Sequence, residues 1–203
     1  MTAFAVHHPA HRAASVSELG APEPADVELV ERAQRGDSWA EEALFRRHVG
    51  RVAQVAQRLL GRTAEAEDVI QDSFVIALEQ LPKLREGSAF RAWLLRIVVH
   101  QAHRRYRKRR MLTRLGFVSD DGEALSGQAR EDTDPELKAE LRKLDTVLSE
   151  LSAKERFAWV LRYVEGYQLD EVAAACDCSL ATVKRWIARA DERVRKHVSI
   201  EEP

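Results

Sequence analysis

The chain has 203 residues, with 32 Lys and Arg against 33 Asp and Glu and an apolar fraction of 45%. That is enough for one large or two small domains, each with its own core. No uninterrupted run of eighteen apolar residues occurs, so no membrane-spanning helix is expected.

Aromatics make up only 6%, and nine Gly and six Pro are few for this length, so an all-helical architecture is expected. The N-terminus lacks the basic start, apolar run and cleavage site of a secretory signal. Cys176 and Cys178 stand too close together for an ordinary disulfide. A cytoplasmic setting fits these features.

Residues 1–25 contain His7, His8, His11, Pro9, Pro22 and Pro24 and no sustained periodicity. A flexible polar tail is expected rather than a metal site. A first helical domain is expected over 26–113. Asp26 is placed to cap a short helix that stops at Gly36. Asp37 is placed to cap a second, which runs to about Leu60 and stops at Gly61. In that second helix Leu44, Phe45, Val49, Val52, Ala56 and Leu59 form an apolar stripe. Thr63 is placed to cap a third helix, with Glu65 and Glu67 in its first turn where the helix dipole favours acids, and Leu81-Pro82 ends it. A polar loop, Lys83 to Ser88, leads into a fourth helix of some 22 residues.

That fourth helix changes character halfway. Phe90, Trp93, Leu94 and Ile97 fit a core face. Six Lys or Arg side chains then crowd the eight positions from His103 to Arg110, around Tyr106. Such a cluster reads as a candidate phosphate-binding face.

Residues 114–133 read as a flexible acidic linker. Seven acids and one Arg lie between Ser119 and Glu136, interspersed with Gly122 and Gly127. A second helical domain is expected over 134–198. Asp134-Pro135-Glu136 has the order of N-cap, first and second helical positions. Ser152 and Glu155 make a capping box for a helix that stops at Gly166. A short helix, about Leu169 to Cys176, and a longer one, Leu180 to about His197 with Ser179 as its cap, complete a helix-turn-helix.

In that pair Val172, Ala173 and Cys176 face Val183, Ile187, Ala190 and Val194. The opposite face of the last helix carries Ala181, Lys184, Arg185, Ala188 and Arg189. Small and basic residues at the N-terminal turns suit the major groove, where Arg or Lys reads guanine and Ala sits against a thymine methyl. Ser179 and Thr182 are placed to bind phosphate. Trp186, Cys176 and Cys178 are expected to pack in the core rather than stack on a base or hold a metal.

The third helix carries AEAEDVIQDSF. Ala66, Val69, Ile70 and Phe74 form its buried stripe, and Glu67, Asp68, Gln71 and Asp72 gather opposite. Paired carboxylates can do acid–base work, but no nucleophile, phosphate loop or metal-ligand spacing beyond His100-x-x-His103 accompanies them. No catalytic residues, cofactor, metal or small-molecule substrate are expected. A face offered to a basic protein partner suits the pattern better.

Together, AEDVIQDSF, FRAWLLRI and DEVAAACDCSLATVKRWIARADERVR resemble the extracytoplasmic-function (ECF) sigma factors of bacterial RNA polymerase, within the sigma-70 family. The resemblance spans about Asp26 to His197. It implies two helical domains, region 2 and region 4, and a role in promoter recognition, DNA melting and initiation. It implies that Glu67, Asp68, Gln71 and Asp72 dock on the coiled coil of the polymerase's largest subunit, with the flap as a further contact. Arg85, Ser88, Trp93, Arg96, His100, Arg104 and Arg107 would serve the minus-ten element, and Ser179, Thr182, Lys184, Arg185 and Arg189 the minus-thirty-five element. An anti-sigma partner is implied by the family alone.

Two departures stand out. Val98, Val99, His100 and Arg104 replace the Ala-Arg-Asn and Asp of many relatives, and Cys176-Asp177-Cys178 replaces Leu-Gly-Val at the helix-turn-helix turn. Without that Gly, a non-glycine residue is expected at positive φ, a position Asp tolerates. The competing readings are a stand-alone dimeric helix-turn-helix regulator and an enzyme built on Glu67 and Asp68.

Overall fold

A computed structural model describes residues 24–61, 63–117, 125–128 and 134–198. The expected tail, most of the acidic linker and the Thr63 side chain lie outside the described residues. The described chain is all-helical, with eight α-helices in two domains. The first domain contains α1 (Asp26–Gln34), α2 (Ser38–Leu60), α3 (Thr63–Gln80) and α4 (Phe90–Arg114). The second contains α5 (Pro135–Glu150), α6 (Ala153–Trp159), α7 (Leu169–Ala175) and α8 (Leu180–Val198).

Local chemistry sets most of the boundaries. The Asp37 carboxylate accepts from the N–H groups of Trp39 and Ala40 and starts α2, and Gly61 ends it at φ 75°. Only a residue without Cβ enters that conformation without cost. Asp134 accepts from Glu136 N–H at 3.0 Å, with Pro135 in the first turn. Ser152 and Glu155 form the reciprocal capping box. The helix it starts widens into a π-helical turn, Val160–Val164, before Gly166. Ser179 Oγ accepts from Thr182 N–H at the start of α8.

Three expectations are corrected. Asp26 does not cap α1: Ala25 holds that position without a side-chain bond, and Asp26 lies in the first turn. There it pairs with Arg47 at 2.8 Å and His48 Nε2 at 2.9 Å. Phe45 does not join the core. It is exposed and meets Phe74 edge-on at 4.6 Å. Leu44 and Val52 take the centre of the stripe, with the buried His48 between them and Phe45 one position to the side.

The third correction concerns α4. Its basic half is not wholly turned to solvent. Tyr106 and Arg109 are buried. Arg109 donates to the Leu60 carbonyl at 3.0 Å and pairs with Glu65 at 3.1 Å. Arg110 donates to the Leu151 carbonyl of the second domain at 2.9 Å. A buried guanidinium persists only where such partners replace its water.

The two domains pack against each other. Phe157 of α6 meets Tyr106 and His103 of α4 edge-on, at 5.6 and 5.9 Å between ring centroids. Arg156, itself buried, lies over the opposite domain's Tyr106 ring at 5.4 Å. Within the acidic stretch Leu125 is buried, and Asp145 of α5 accepts from the Leu125 and Ser126 N–H groups and the Ser126 hydroxyl at 2.8–3.0 Å.

Candidate polymerase and nucleic-acid interfaces

On α3, Ala66 and Val69 are fully buried, which turns Glu67, Asp68, Gln71 and Asp72 outward, and all four are exposed. Arg105 of α4 leans onto this face. It pairs with Asp68 at 2.8 Å and Asp72 at 3.3 Å. Val75 and Leu78 continue the same face one and two turns on, 51% and 44% exposed. A row of carboxylates followed by exposed aliphatics offers charge and apolar area side by side. Sequence reasoning missed the apolar half, because Val75 and Leu78 sit in an unbroken apolar run (FVIAL) that reads as core.

Arg85 and Ser88 lie exposed in the loop before α4, and Trp93 is half-buried, 5.9 Å from the Phe90 ring. Trp93, Arg96 and His100 line one cavity of about 320 Å³ with Ile76, Gln80, Ile97 and Gln101. Its mixture of indole, guanidinium and amide groups can stack on a planar base and hydrogen-bond its edge. Farther along α4, His100, Arg104 and Arg107 line a larger cleft, about 1100 Å³, whose opposite wall is the second domain. Lys108, Arg110, Arg114 and Lys154 also reach it, so the cleft is strongly basic.

In the second domain Val172, Ala173, Val183, Ile187 and Ala190 are buried between α7 and α8. Lys184, Arg185 and Arg189 project outward, all exposed. Thr182 Oγ1 lies 2.9 Å from Ser179 Oγ and 3.5 Å from Arg185 Nη2. Arg189 also approaches Glu155 at 3.7 Å. Asp177 takes φ 52° at the turn, as the missing Gly requires. Trp186 is half-buried beneath Lys154 Nζ, 5.5 Å from the ring. Cys176 and Cys178 are free thiols. Burial pushes the Cys176 thiol up to about 12, so it stays protonated and unreactive. No three His, Cys, Asp or Glu side chains among the described residues are placed to hold a metal, and no described helix is long and apolar enough to cross a membrane.

Comparison with known proteins agrees with this arrangement. The family model for Sigma-70 region 2 matches residues 44–111, and that for Sigma-70 region 4 matches residues 141–193. The ECF RNA polymerase sigma-E factor of Escherichia coli K12 is 32% identical over 180 residues, covering 85% of this chain and 94% of its own. The RNA polymerase sigma-H factor of Pseudomonas aeruginosa is 31% identical over 178 residues, covering 84% and 92%. Among solved structures, CnrH in complex with the cytosolic domain of CnrY superposes with a TM-score of 0.61 at 26% identity, covering 87% of this chain and 99% of that one. The Bartonella quintana sigma factor RpoE, solved with the anti-sigma factor NepR, has the same fold: TM-score 0.61, 23% identity, covering 79% and 98%. With both domain models matched in order and relatives aligned along nearly their full length, the chain belongs to the ECF sigma factors of the sigma-70 family.

Proposed function

We propose that this sigma factor divides its work among three surfaces. Glu67, Asp68, Gln71 and Asp72 dock on the coiled coil of the polymerase's largest subunit. Arg85, Ser88, Trp93, Arg96, His100, Arg104 and Arg107 open and hold the minus-ten element. Ser179, Thr182, Lys184, Arg185 and Arg189 read the minus-thirty-five element as duplex. On this reading residues 26–113 form the first promoter-binding module, 114–133 the linker and 134–198 the second module, and the second module also meets the polymerase flap.

The chemistry needed is stabilisation rather than catalysis. Melting gives up base stacking, and a flipped base that stacks on an aromatic recovers ~1–3 kcal/mol. The cavity of Trp93, Arg96 and His100 has the groups for that exchange. Arg104 and Arg107 then neutralise phosphates with release of counterions, so binding weakens steeply with salt. The chain acts in the cytoplasm, and an anti-sigma factor, as NepR is for RpoE in their joint structure, restrains it.

The observation that carries this reading is the exposed acidic face of α3 in a chain that also presents a basic recognition helix. A stand-alone dimeric regulator has no use for such a face. Co-purification tests it: the chain is expected to retain core polymerase subunits through a salt wash that strips a control helix-turn-helix protein. Absence of those subunits would leave the regulator reading in place.

A further inference from the structure

Helix α1 belongs to none of the three proposed surfaces, yet it is tied to its neighbour at both ends. Asp26 in its first turn pairs with Arg47 and His48 of α2, at 2.8 and 2.9 Å. Arg32 in its last turn pairs with Asp37, the cap of α2, at 2.8 Å. Between these ties Leu29, Val30 and Ala33 are buried. A helix of nine residues is marginal alone in water, so α1 owes its order to this packing.

The other side of α1 meets the loop that joins α3 to α4. In that loop two 3₁₀ turns, Leu81–Lys83 and Gly87–Ala89, are linked through extended backbone at Leu84 and Glu86. Helix α1 holds both turns. The Gln34 side-chain amide donates to the Leu81 carbonyl at 2.9 Å and to the Leu84 carbonyl at 2.8 Å. Only the nitrogen side of an amide can serve two carbonyls, and both of its N–H donors are used here. At the second turn Gly87 lies against the Val27 backbone. A Cβ on Gly87 would stand 2.9 Å from Val27 Cα and 3.3 Å from the Val27 carbonyl oxygen, so any side chain there forces the two segments apart. Arg85, Glu86 and Ser88, between and beside these fixed points, are exposed.

The loop has little of its own to hold it. Leu84 N–H bonds to the Leu81 carbonyl and Ala89 N–H to the Glu86 carbonyl, both at 3.0 Å. Backbone with so few internal bonds opens readily unless an outside support fixes it. Groups that must discriminate between ligands need to be held to within about 0.5 Å.

We propose that Gln34 and Gly87 are positioning residues for the minus-ten element. Through them α1 clamps the loop, so that Arg85 and Ser88 are already placed when a strand arrives, while α1 itself touches no DNA. The inference rests on the sigma-factor reading for what the loop binds. The clamp itself can be tested without polymerase.

Gln34→Glu keeps the shape of the side chain but sets a carboxylate against two carbonyls. Gly87→Ala pushes the loop off Val27. In hydrogen exchange on the free full-length chain, the 81–89 amides are expected to exchange several-fold faster in both variants, with α2 unchanged. In run-off transcription by the holoenzyme on a promoter library, both variants should lose base preference at the minus-ten element several-fold. Preference at the minus-thirty-five element and retention of core subunits should stay at wild type. Gln34→Lys retains a donor and is expected to preserve both loop protection and minus-ten preference. A merely structural role would lower output from all templates alike and leave base preference unmoved. Gly87→Ala carries the test if Gln34→Glu fails to fold. Wild-type loop protection in the folded variants overturns the clamp. A loosened loop with unchanged minus-ten preference, or with equal loss at both elements, overturns its role in recognition. A wild-type holoenzyme without minus-ten preference would count against the function, with hydrogen exchange still deciding the clamp.

Discussion

Arg105 of α4 reaches back 37 positions to Asp68 of α3, Nη1 to Oδ2 at 2.8 Å, and its other nitrogen touches Asp72 at 3.3 Å. The acidic face of α3 is therefore contacted by a cation from the helix that carries the proposed DNA-binding groups. Both partners are substantially exposed. Exposed pairs of this kind contribute only ~0.2–1 kcal/mol to stability, so the face can be altered without unfolding the domain.

Asp68→Lys combined with Gln71→Ala is expected to abolish association with core polymerase while the helical circular dichroism and melting temperature stay near wild type. Co-purification of the folded double variant at wild-type yield would reject the docking face.

Arg109 and Arg107 are two residues apart on α4 and are expected to behave oppositely. Arg109 is 7% exposed and holds Leu60 and Glu65. Arg109→Ala leaves that carbonyl and carboxylate without a buried partner and should cost roughly 3 kcal/mol in urea unfolding. Arg107→Ala, at the exposed cleft, should leave stability within ~0.5 kcal/mol and reduce the salt slope of DNA binding by about one phosphate contact. Equal stability losses in the two variants would show that the burial of Arg109 has no energetic role.

Arg185 projects from the exposed face of α8 near Thr182. If its guanidinium reads a base edge, Arg185→Ala should lose ~1–3 kcal/mol of binding at one position of the minus-thirty-five element. A uniform loss across all sequences, measured by competition with single-base variants, would assign Arg185 to phosphate instead.

Acidity should loosen the chain. Burial lowers the affinity of His103 for a proton, and Arg107, Lys154 and His100 lower it further. Burial also lowers that of His48, and Asp26 only partly offsets the effect. Above about pH 6.5 both rings are neutral folded and unfolded, and nothing is lost. Below it the unfolded chain takes up protons that the folded chain resists, so stability falls until the depressed folded values are passed. Urea midpoints are expected to drop between about pH 7 and 5.5, with a shallower drop in His103→Gln. A midpoint that rises on acidification over that range would contradict the assignment.

The local signals were legible in the sequence. Asp37, Asp134, the Ser152–Glu155 box and Ser179 cap their helices because a cap depends on residues a few positions away. Asp177 at positive φ followed from a missing Gly at a turn. The misses are long-range. A run of six Lys and Arg reads as solvated, and nothing nearby marks Arg109 as the one facing Leu60, or Arg105 as the one turned to Asp68. Leu125 sits in an acidic, glycine-containing stretch, and its anchor Asp145 lies 20 positions on. The hydrogen bond from Arg51 to the Tyr167 hydroxyl joins positions 116 apart, where hydrophobic periodicity carries no information.

The most direct test is run-off transcription from a promoter library with core polymerase of the chain's own host. With the chain added, initiation is expected from a defined subset of templates that share two elements at a fixed spacing, and the Asp68→Lys, Gln71→Ala variant should give none. Transcripts no more frequent or more selective than with core polymerase alone would contradict the account.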